Sequence, residues 1–563
     1  MINDSNAQSK AQVSANEILK ANDPTLAGSI AATLADPEAD RFSDDDNQFL
    51  KFHGIYQQDD RDLRKTGKKY IMMIRGRIPA GVLSSAQYRV YDELSERHGN
   101  QTLRITTRQS LQFHGVVKRQ LGPLMKSLNE ALLTTQAACG DVARNVMAPC
   151  TPPRTDLERR IQQDAVAISH ALTPSTPAYH AIWLDGVQLD LGAPEQKGFT
   201  DPLYGRTYLP RKFKIGFALP PVNDVDIFTQ CLGFIAIADD QGNLAGYNLT
   251  VGGGMGRSHN NDATFPRLGD VAGFLPPDRV VEASRVVVTI HRDFGDRADR
   301  KHARLKYVIA DRGIEWFREE FTRRAGFALE PARPFAFEHE RPPYGWHEQG
   351  DGRWFLGLFI ENGRIKDEGD WRLKSALREI ATRFDIEFRL TPVETLLLAN
   401  IADGDKAAIE RILAEHGILG PEQFSPVRRA SMACVALPTC GLALAESERY
   451  LPDLLTRVES LLEEVGLKDE EITVRMTGCP NGCARPYAAE IGFVGKGPGR
   501  YQLWLGGNAT GTRLNRVYKE MVKDPEIIGE LSSLLQRFVG ERQNGERFGD
   551  WVARVLWPEA AVN

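Results

Sequence analysis

The sequence predicts an α+β protein built from two related halves, each a small strand–helix–strand unit followed by a larger mixed domain. Three observations carry this. The chain has 563 residues, enough for three or four domains' worth of core, and its 42% hydrophobic and 26% charged content is that of an ordinary soluble protein. A strand pattern entering a turn and then a helical stretch occurs at YIMMIRGRIPAG (70–81) and SSAQYRVYDELSERHG, and again at WFLGLFIENGRI (354–365) and LKSALREIATRF. The strand-like LRITTRQSLQFHGV (103–116) then has its outline repeated in FRLTPVETLLLANI (388–401).

In chain order, residues 1–50 are polar, Asp- and Ala-rich and end in an acidic run, which reads as a flexible or loosely docked arm. Residues 51–145 hold the first strand–helix–strand unit, of ferredoxin-like type, and 146–340 a mixed α/β domain. Residues 341–423 repeat the ferredoxin-like unit, and 424–563 form a second mixed domain. Generic strand–helix–strand patterning would produce a faint repeat of the same kind, so the pattern alone leaves both origins open.

Bulk properties exclude several classes. A net charge of −5 argues against a general nucleic-acid binder. No stretch approaches about 18 uninterrupted apolar residues, so no membrane span is expected. The first twenty residues lack an apolar signal region, and seven cysteines do not read as a secreted disulfide framework, which together fit a reduced cytoplasm. The Gly-rich NLTVGGGMGRSHN (248–260) is not a G-x-G-x-x-G opening a helix and reads as a close-packed turn. No NADPH or flavin site is evident.

Four cysteines carry the strongest chemical signal. Cys434 and Cys440 stand in SMACVALPTCGLA, Cys479 and Cys483 in RMTGCPNGCARP. Two thiol pairs brought together across a long insert suit an iron–sulfur cube, and the Pro and Gly of the second pair force a tight loop. Zinc, disulfides and unrelated core cysteines are the alternatives; the zinc reading lacks the usual C-x2-C spacing and a matching His set. Basic residues form short alternating sets: Arg75 and Arg77, expected on one strand face; Arg104, Arg108, Gln112 and His114; Arg144; Arg211, Lys212 and Lys214; and Arg297, Arg300, Lys301, Arg304 and Lys306. Each set alone is the pattern of a solvated charged face.

TGCPNGCARP and SMACVALPTC, together with FLKFHGIYQQDDRD near residue 50, TTRQSLQFHG (106–115), YLPRKFKIGFALPPVNDVD (208–226) and LWLGGNATGTR (503–513), give a resemblance over nearly the whole chain. In these motifs the chain resembles the siroheme-dependent sulfite and nitrite reductases, and among them the assimilatory hemoproteins served by an NADPH-dependent flavoprotein. The resemblance implies two pseudo-twofold-related halves around a siroheme and a [4Fe–4S] cluster. It implies sulfite as substrate, reduced to sulfide in six electrons for cysteine biosynthesis, and a FAD/FMN reductase subunit as partner in a hetero-oligomer. By the same resemblance, Arg75, Arg144, Lys212 and Lys214 line the face where sulfite binds. Arg108, Gln112, His114, Arg211, Arg304 and Asn481 would contact the cofactor. Cys434, Cys440, Cys479 and Cys483 would ligate the cluster, with Cys483 bridging it to the siroheme iron.

Arg suits carboxylates, whereas Lys suits a small oxyanion and proton delivery. Lys214, where nitrite-reducing relatives tend to carry Asn, leans the reading toward sulfite over a siroheme nitrite reductase. A ferredoxin-dependent sulfite reductase is the other close rival, and a regulatory iron–sulfur sensor the rival outside catalysis. Two departures stand out. Glu394 occupies the place of a cofactor-facing Gln, so it is expected to be protonated, paired with a base or turned away. In MGRSHNND, Asn260 follows His259 where the family has Gly.

Overall fold

The computed structural model describes residues 13–176 and 198–558, with residue 178 and the paired strands Trp183–Leu184 and Val187–Gln188 between them. The β-branched and aromatic run of Tyr70–Arg75 is a strand, and it lies second in a five-stranded sheet ordered Ile55–Asp59, Tyr70–Arg75, Ser110–Val116, Leu103–Thr106, Arg364–Ile365. The last strand comes from the second half of the chain. The matching sheet runs Gly345–Glu348, Arg353–Leu358, Leu396–Ala402, Glu387–Leu390, Val82–Ser84, and its last strand comes from the first half. Each ferredoxin-like unit therefore lends one edge strand to the other: Arg364 pairs with Arg104, and Leu83 with Phe388.

The helices behind the two sheets, Ser85–His98 and Leu373–Arg383, pack on each other. The first starts at a capping box between Ser84 and Gln87, which satisfies the free N–H groups of its first turn. One hydrophobic core runs through both units, and Tyr88 stacks on Phe388 across it at 4.2 Å.

The two larger domains share a topology. In the first, Ala143–Met147, Phe213–Ala218 and Leu232–Ala238 run parallel, and Leu244–Val251 and Asp270–Leu275 complete the sheet antiparallel. In the second, Met432–Ala433, Val474–Thr477 and Ile491–Gly497 are parallel, followed antiparallel by Arg500–Leu505 and Arg516–Lys523. The halves are thus related in both their small and their large parts, an α+β fold with internal twofold character.

The N-terminal arm differs from the expectation. Residues 13–50 form helices Ala15–Asn22, Ile30–Ala35 and Asp44–Leu50, and they are docked rather than loose. Glu17, Lys20, Leu26 and Asp46 are buried. Composition misled because these polar side chains are matched by partners elsewhere in the chain: Lys20 donates to Leu209 O at 2.8 Å, and Tyr208 Oη donates to Pro24 O at 2.8 Å.

Candidate active site

The cysteines sit on the loops that leave two parallel strands of the second large domain at their carboxyl ends, the usual place for a site in such a sheet. Cys434 follows Met432–Ala433, and Cys479 and Cys483 follow Val474–Thr477. The loops are locked together at Gly478, whose carbonyl accepts from Leu444 N (2.7 Å) and Ala445 N (3.0 Å). A Cβ at Gly478 would come within 2.5 Å of both Ala436 Cβ and Ala445 O, so only glycine permits the approach. Gly482, at φ +62°, makes the turn that reverses the chain before Cys483.

All four thiols are free, which removes the disulfide alternative. Among the described residues no group of three or more His, Cys, Asp or Glu closes around a point as a single ion would need. A cube instead takes its ligands at separate corners. Burial and then the neighbouring Cys483 push the Cys479 thiol up to about 12, and burial and Cys483 likewise raise Cys434 and Cys440. Thiols held protonated in this way give up their protons to a bound metal charge. Gly478 N donates to Cys434 Sγ at 3.4 Å, and Asn481 Nδ2 to Cys479 Sγ at 3.7 Å.

Cys483 is the exposed member of the four, and it belongs electrostatically to a second cluster. Its thiol is felt by Arg75, Lys212 and Lys214. Around it the fold gathers cations from separate elements. Arg75 ends a strand of the first half-domain, Arg144 stands in the first strand of the large sheet, Arg211 and Lys212 lead into the second, and Lys214 lies within it. Arg304 caps the helix Leu305–Arg312, and Arg108 lies in the turn between Leu103–Thr106 and Ser110–Val116.

Burial and mutual repulsion mark this cluster. Lys212 is lowered to about 7, first by burial and then by Arg211 and Arg304; Lys214 falls well below its ordinary value by burial, Arg108 and Lys212. Arg108 falls to about 9 and Arg211 to about 10, burial leading in both. Among the described residues Arg211, Lys212 and Lys214 form no ion pair with a carboxylate, and the buried Nε of Arg304 has no hydrogen-bond partner. Without an anion, burial and mutual repulsion drive the two lysines toward their neutral forms; an anion in place would restore their charge and pair the arginines.

Several predicted residues have other local partners. Arg108 donates to Asn145 O (2.8 Å) and to Gln230, and Arg304 Nη2 to Cys231 Sγ (3.1 Å). Gln112, with its amide turned to suit its neighbours, accepts from Arg75 Nε at 2.8 Å and donates to His114 Nε2 at 3.2 Å. His114 is held neutral by burial and then by Arg364. Gln112 and His114 therefore orient Arg75. Arg77 does not share its face: the strand ends at Arg75, and Arg77 turns into the core, donating to Ser169 O (2.9 Å) and Ala143 O (3.0 Å). In the run 297–306, Arg297 holds Glu17 of the N-terminal helix, Arg300 holds Asp141, and Lys306 is taken up by the carbonyls of Gly254 and Gly256. The Gly-rich loop is close-packed, as expected: a Cβ at Gly254 would lie 2.8 Å from Arg304 Nη2, and Arg257 N donates to Pro480 O at 2.9 Å.

Glu394 is paired with a base. It is 3% exposed, accepts from Arg104 Nη2 at 2.8 Å, and is pushed up to about 7 by burial against the pull of Arg104. Arg104 also holds Glu448, and Arg364 grips that second carboxylate at 2.6 and 3.0 Å. Burial opposes but Arg104 and Arg364 prevail, and Glu448 falls to about 2. In the internal repeat Glu394 corresponds to Gln109, and both have positive φ. Gln109 directs its amide to Ala148 and Leu390, a role Glu394 does not copy. The repeat meets at Arg485, beside the cysteine loop, which donates to Pro392 O (2.9 Å) and Thr107 O (3.4 Å), equivalent turns of the two halves.

Sequence reasoning missed Tyr56, Cys139 and Lys51. Burial and then Cys139 raise Tyr56, opposed by Arg144, Arg75 and Arg211, and Cys139 Sγ accepts from Arg75 at 3.2 Å. Lys51 is lowered to about 8 by burial and then Arg300. Strand pairing puts Tyr56 there, a relation with no motif of its own: it lies opposite Met73, two residues from Arg75 and so on its face.

Comparison with known proteins agrees with this geometry. Residues 165–329 match the family described as "Nitrite and sulphite reductase 4Fe-4S domain", and residues 64–131 and 347–416 each match "Nitrite/Sulfite reductase ferredoxin-like half domain". The "Sulfite reductase [NADPH] hemoprotein beta-component" of Staphylococcus saprophyticus is 48% identical, over 96% of this chain and 95% of its own length. The protein of the same description from Geobacillus kaustophilus is 49% identical, with the same coverage. Among solved structures, Mycobacterium tuberculosis NirA superposes with a TM-score of 0.76 at 25% identity, over 96% of each chain.

Proposed function

We propose that this chain, which belongs to the nitrite and sulfite reductase family, is the hemoprotein component of an NADPH-fed sulfite reductase and reduces sulfite to sulfide for sulfate assimilation and cysteine biosynthesis. The observation that carries the reading is the position of Cys483, at once the exposed member of the cysteine quartet and a neighbour of the cations in the cleft. The family's cofactors are siroheme and a [4Fe–4S] cluster. The residues present fit both. Four free thiols on two interlocked loops suit the cluster, and unpaired Arg211 and a half-satisfied Arg304 suit a macrocycle with eight carboxylates. When bound, the pair supplies electron storage and the iron at which sulfur is reduced.

The protein's own part is to bind, orient and protonate. Overall, the sulfite dianion takes up six electrons and eight protons and yields hydrogen sulfide and three waters, so protons are needed at every oxygen lost. Arg75, Arg144, Lys212 and Lys214 would surround the anion and offset its charge. Lys212, at about 7, is matched to donate and recover protons near neutrality. Arg108, Arg211 and Arg304 would take the cofactor's carboxylates, with Gln112 and His114 acting through Arg75 and Asn481 through Cys479. Electrons would come from an NADPH-dependent flavoprotein, the component that the relatives' beta-component description leaves for a partner. Among the described residues no helix is long and apolar enough to cross a membrane, which is compatible with the cytoplasmic site proposed here.

Nitrite is the rival substrate, and the Lys212–Lys214 pair favours the doubly charged anion over it. The test is protein made with ample iron and siroheme supply, reduced with electrochemically generated methyl viologen, and compared for kcat/KM on sulfite and nitrite with sulfide measured. Full conversion to sulfide at comparable or better efficiency supports the reading. Strong nitrite turnover with negligible sulfide makes the chain a nitrite reductase. No turnover of either by cofactor-loaded protein favours a sensor.

A further inference from the structure

Behind the anion cleft, four segments of chain cross at one carboxylate, Asp141, which is 5% exposed. Arg300 grips it from both sides, Nη1 to Oδ2 at 2.7 Å and Nη2 to Oδ1 at 3.0 Å. Lys20 of the N-terminal helix Ala15–Asn22 reaches Oδ2 at 3.6 Å. The backbone carbonyl of Asp141 accepts from Leu209 N (3.0 Å), and that of Val142 from Phe213 N (3.1 Å). These bonds bracket Arg211 and Lys212. On the other side, Arg144 braces its Nε on Gly140 O at 2.8 Å, one residue before Asp141.

The N-terminal helix is built into this junction. Lys20 Nζ bonds Glu17 Oε1 (2.5 Å) and Leu209 O (2.8 Å). Arg297 holds Glu17 and Tyr208 O, and Ser14 N donates to Arg297 O at 2.9 Å. Asp141 is also the carboxylate whose charge opposes the mutual repulsion of Lys51, Arg211 and Arg300. Through Arg300, whose Nη1 also donates to Pro210 O at 3.2 Å, the carboxylate ties the segment that leads to Arg211 and Lys212 to the backbone that carries Arg144, and so sets where those charges stand.

We propose that Asp141, clamped by Arg300 and by Lys20 of the N-terminal helix, is a positioning residue that holds Arg144, Arg211 and Lys212 in anion-binding register, so that the N-terminal helix is a working part of the substrate site. The inference rests on the reading of the cleft as the sulfite site. The test uses cofactor-loaded wild type, Asp141→Asn and Lys20→Met, normalised to siroheme content. Two quantities are read: the sulfite-induced change in visible absorption, titrated for Kd, and the split between KM and kcat.

Positioning predicts a rise in Kd and KM of about tenfold for Asp141→Asn and a few-fold for Lys20→Met, with kcat within about threefold. Lys20→Arg, which keeps the charge and a donor, should recover most of the loss. If Asp141 were only a counter-charge, its removal would make the cleft more positive and tighten sulfite binding; that result, or no change in either variant, overturns the proposal. Should Asp141→Asn fail to fold or load cofactor, Lys20→Met decides alone: raised KM supports the proposal and wild-type KM refutes it. A wild-type protein whose spectrum ignores sulfite would sink the underlying reading, and the inference with it.

Discussion

Replacing Glu394 with Gln should stabilise the protein in alkaline but not in acidic solution. Glu394 is buried and stands at about 7 against an ordinary 4.5, pushed up by burial more than Arg104 can pull it down. The sign follows from linkage. Between these two values the folded protein holds a proton that the unfolded chain has lost, so the contribution to stability is full below about 4.5 and is lost as pH rises through about 7. The whole span is worth about 3 kcal/mol. Gln has no charge to bury, and its Oε1 can still accept from Arg104, which keeps Glu448 and Ala433 O as partners.

An unfolding entropy of about 2.1 cal/mol/K per residue over a chain of this length turns about 3 kcal/mol into a Tm rise of about 3 °C. Paired thermal scans of wild type and Glu394→Gln, at equal cofactor loading and scan rate, should give a difference near zero at pH 5 and about 1–3 °C in favour of the variant at pH 8. A lower Tm for the variant at pH 8, or a shift independent of pH, would refute the reasoning and mean that the carboxylate stabilises the fold through an ionised pair with Arg104.

Lys214→Asn should cut kcat/KM for sulfite by about tenfold or more while leaving nitrite within about threefold, measured with the same viologen donor. Cys483→Ser should leave the protein folded but remove the electronic coupling between its two centres, with activity down more than about a hundredfold and the spectroscopic signature of coupling lost. Nitrite, whose own charge does not change near neutrality, is the cleaner probe of Lys212. Its binding should weaken above about pH 7 as Lys212 loses its proton, and Lys212→Met should remove that limb of the profile.

The repeat was legible because strand and helix patterns at 70–116 and 354–401 have the same outline, but the exchange of edge strands was not. Val82–Ser84 and Arg364–Ile365 are too short to announce a partner, and pairing across hundreds of residues leaves no local trace. Spacing and ligand chemistry singled out the cysteines, and the structure sets them on two interlocked loops. The cations were found as a group but not sorted: spacing put Arg75 and Arg77 together, whereas the strand ends between them and burial sends Arg77 into the core. Asp141 and Tyr56 carry no motif signal, since what makes them neighbours of the cleft is tertiary. The arm was misread because a polar composition cannot distinguish a solvated helix from one whose charges meet buried partners, as Lys20 meets Glu17 and Leu209.

The traded edge strands have a consequence for motion. A protein whose two halves merely touch can open between them as a book does, and many enzymes admit substrate that way. Here any such opening would have to strip backbone ladders at Arg104–Arg364 and at Leu83–Phe388 and split a common core, all at once. The spine of the book is sewn through both covers. The two ferredoxin-like units therefore move as one body, and motion between the halves is left to the larger domains and the loops that join them.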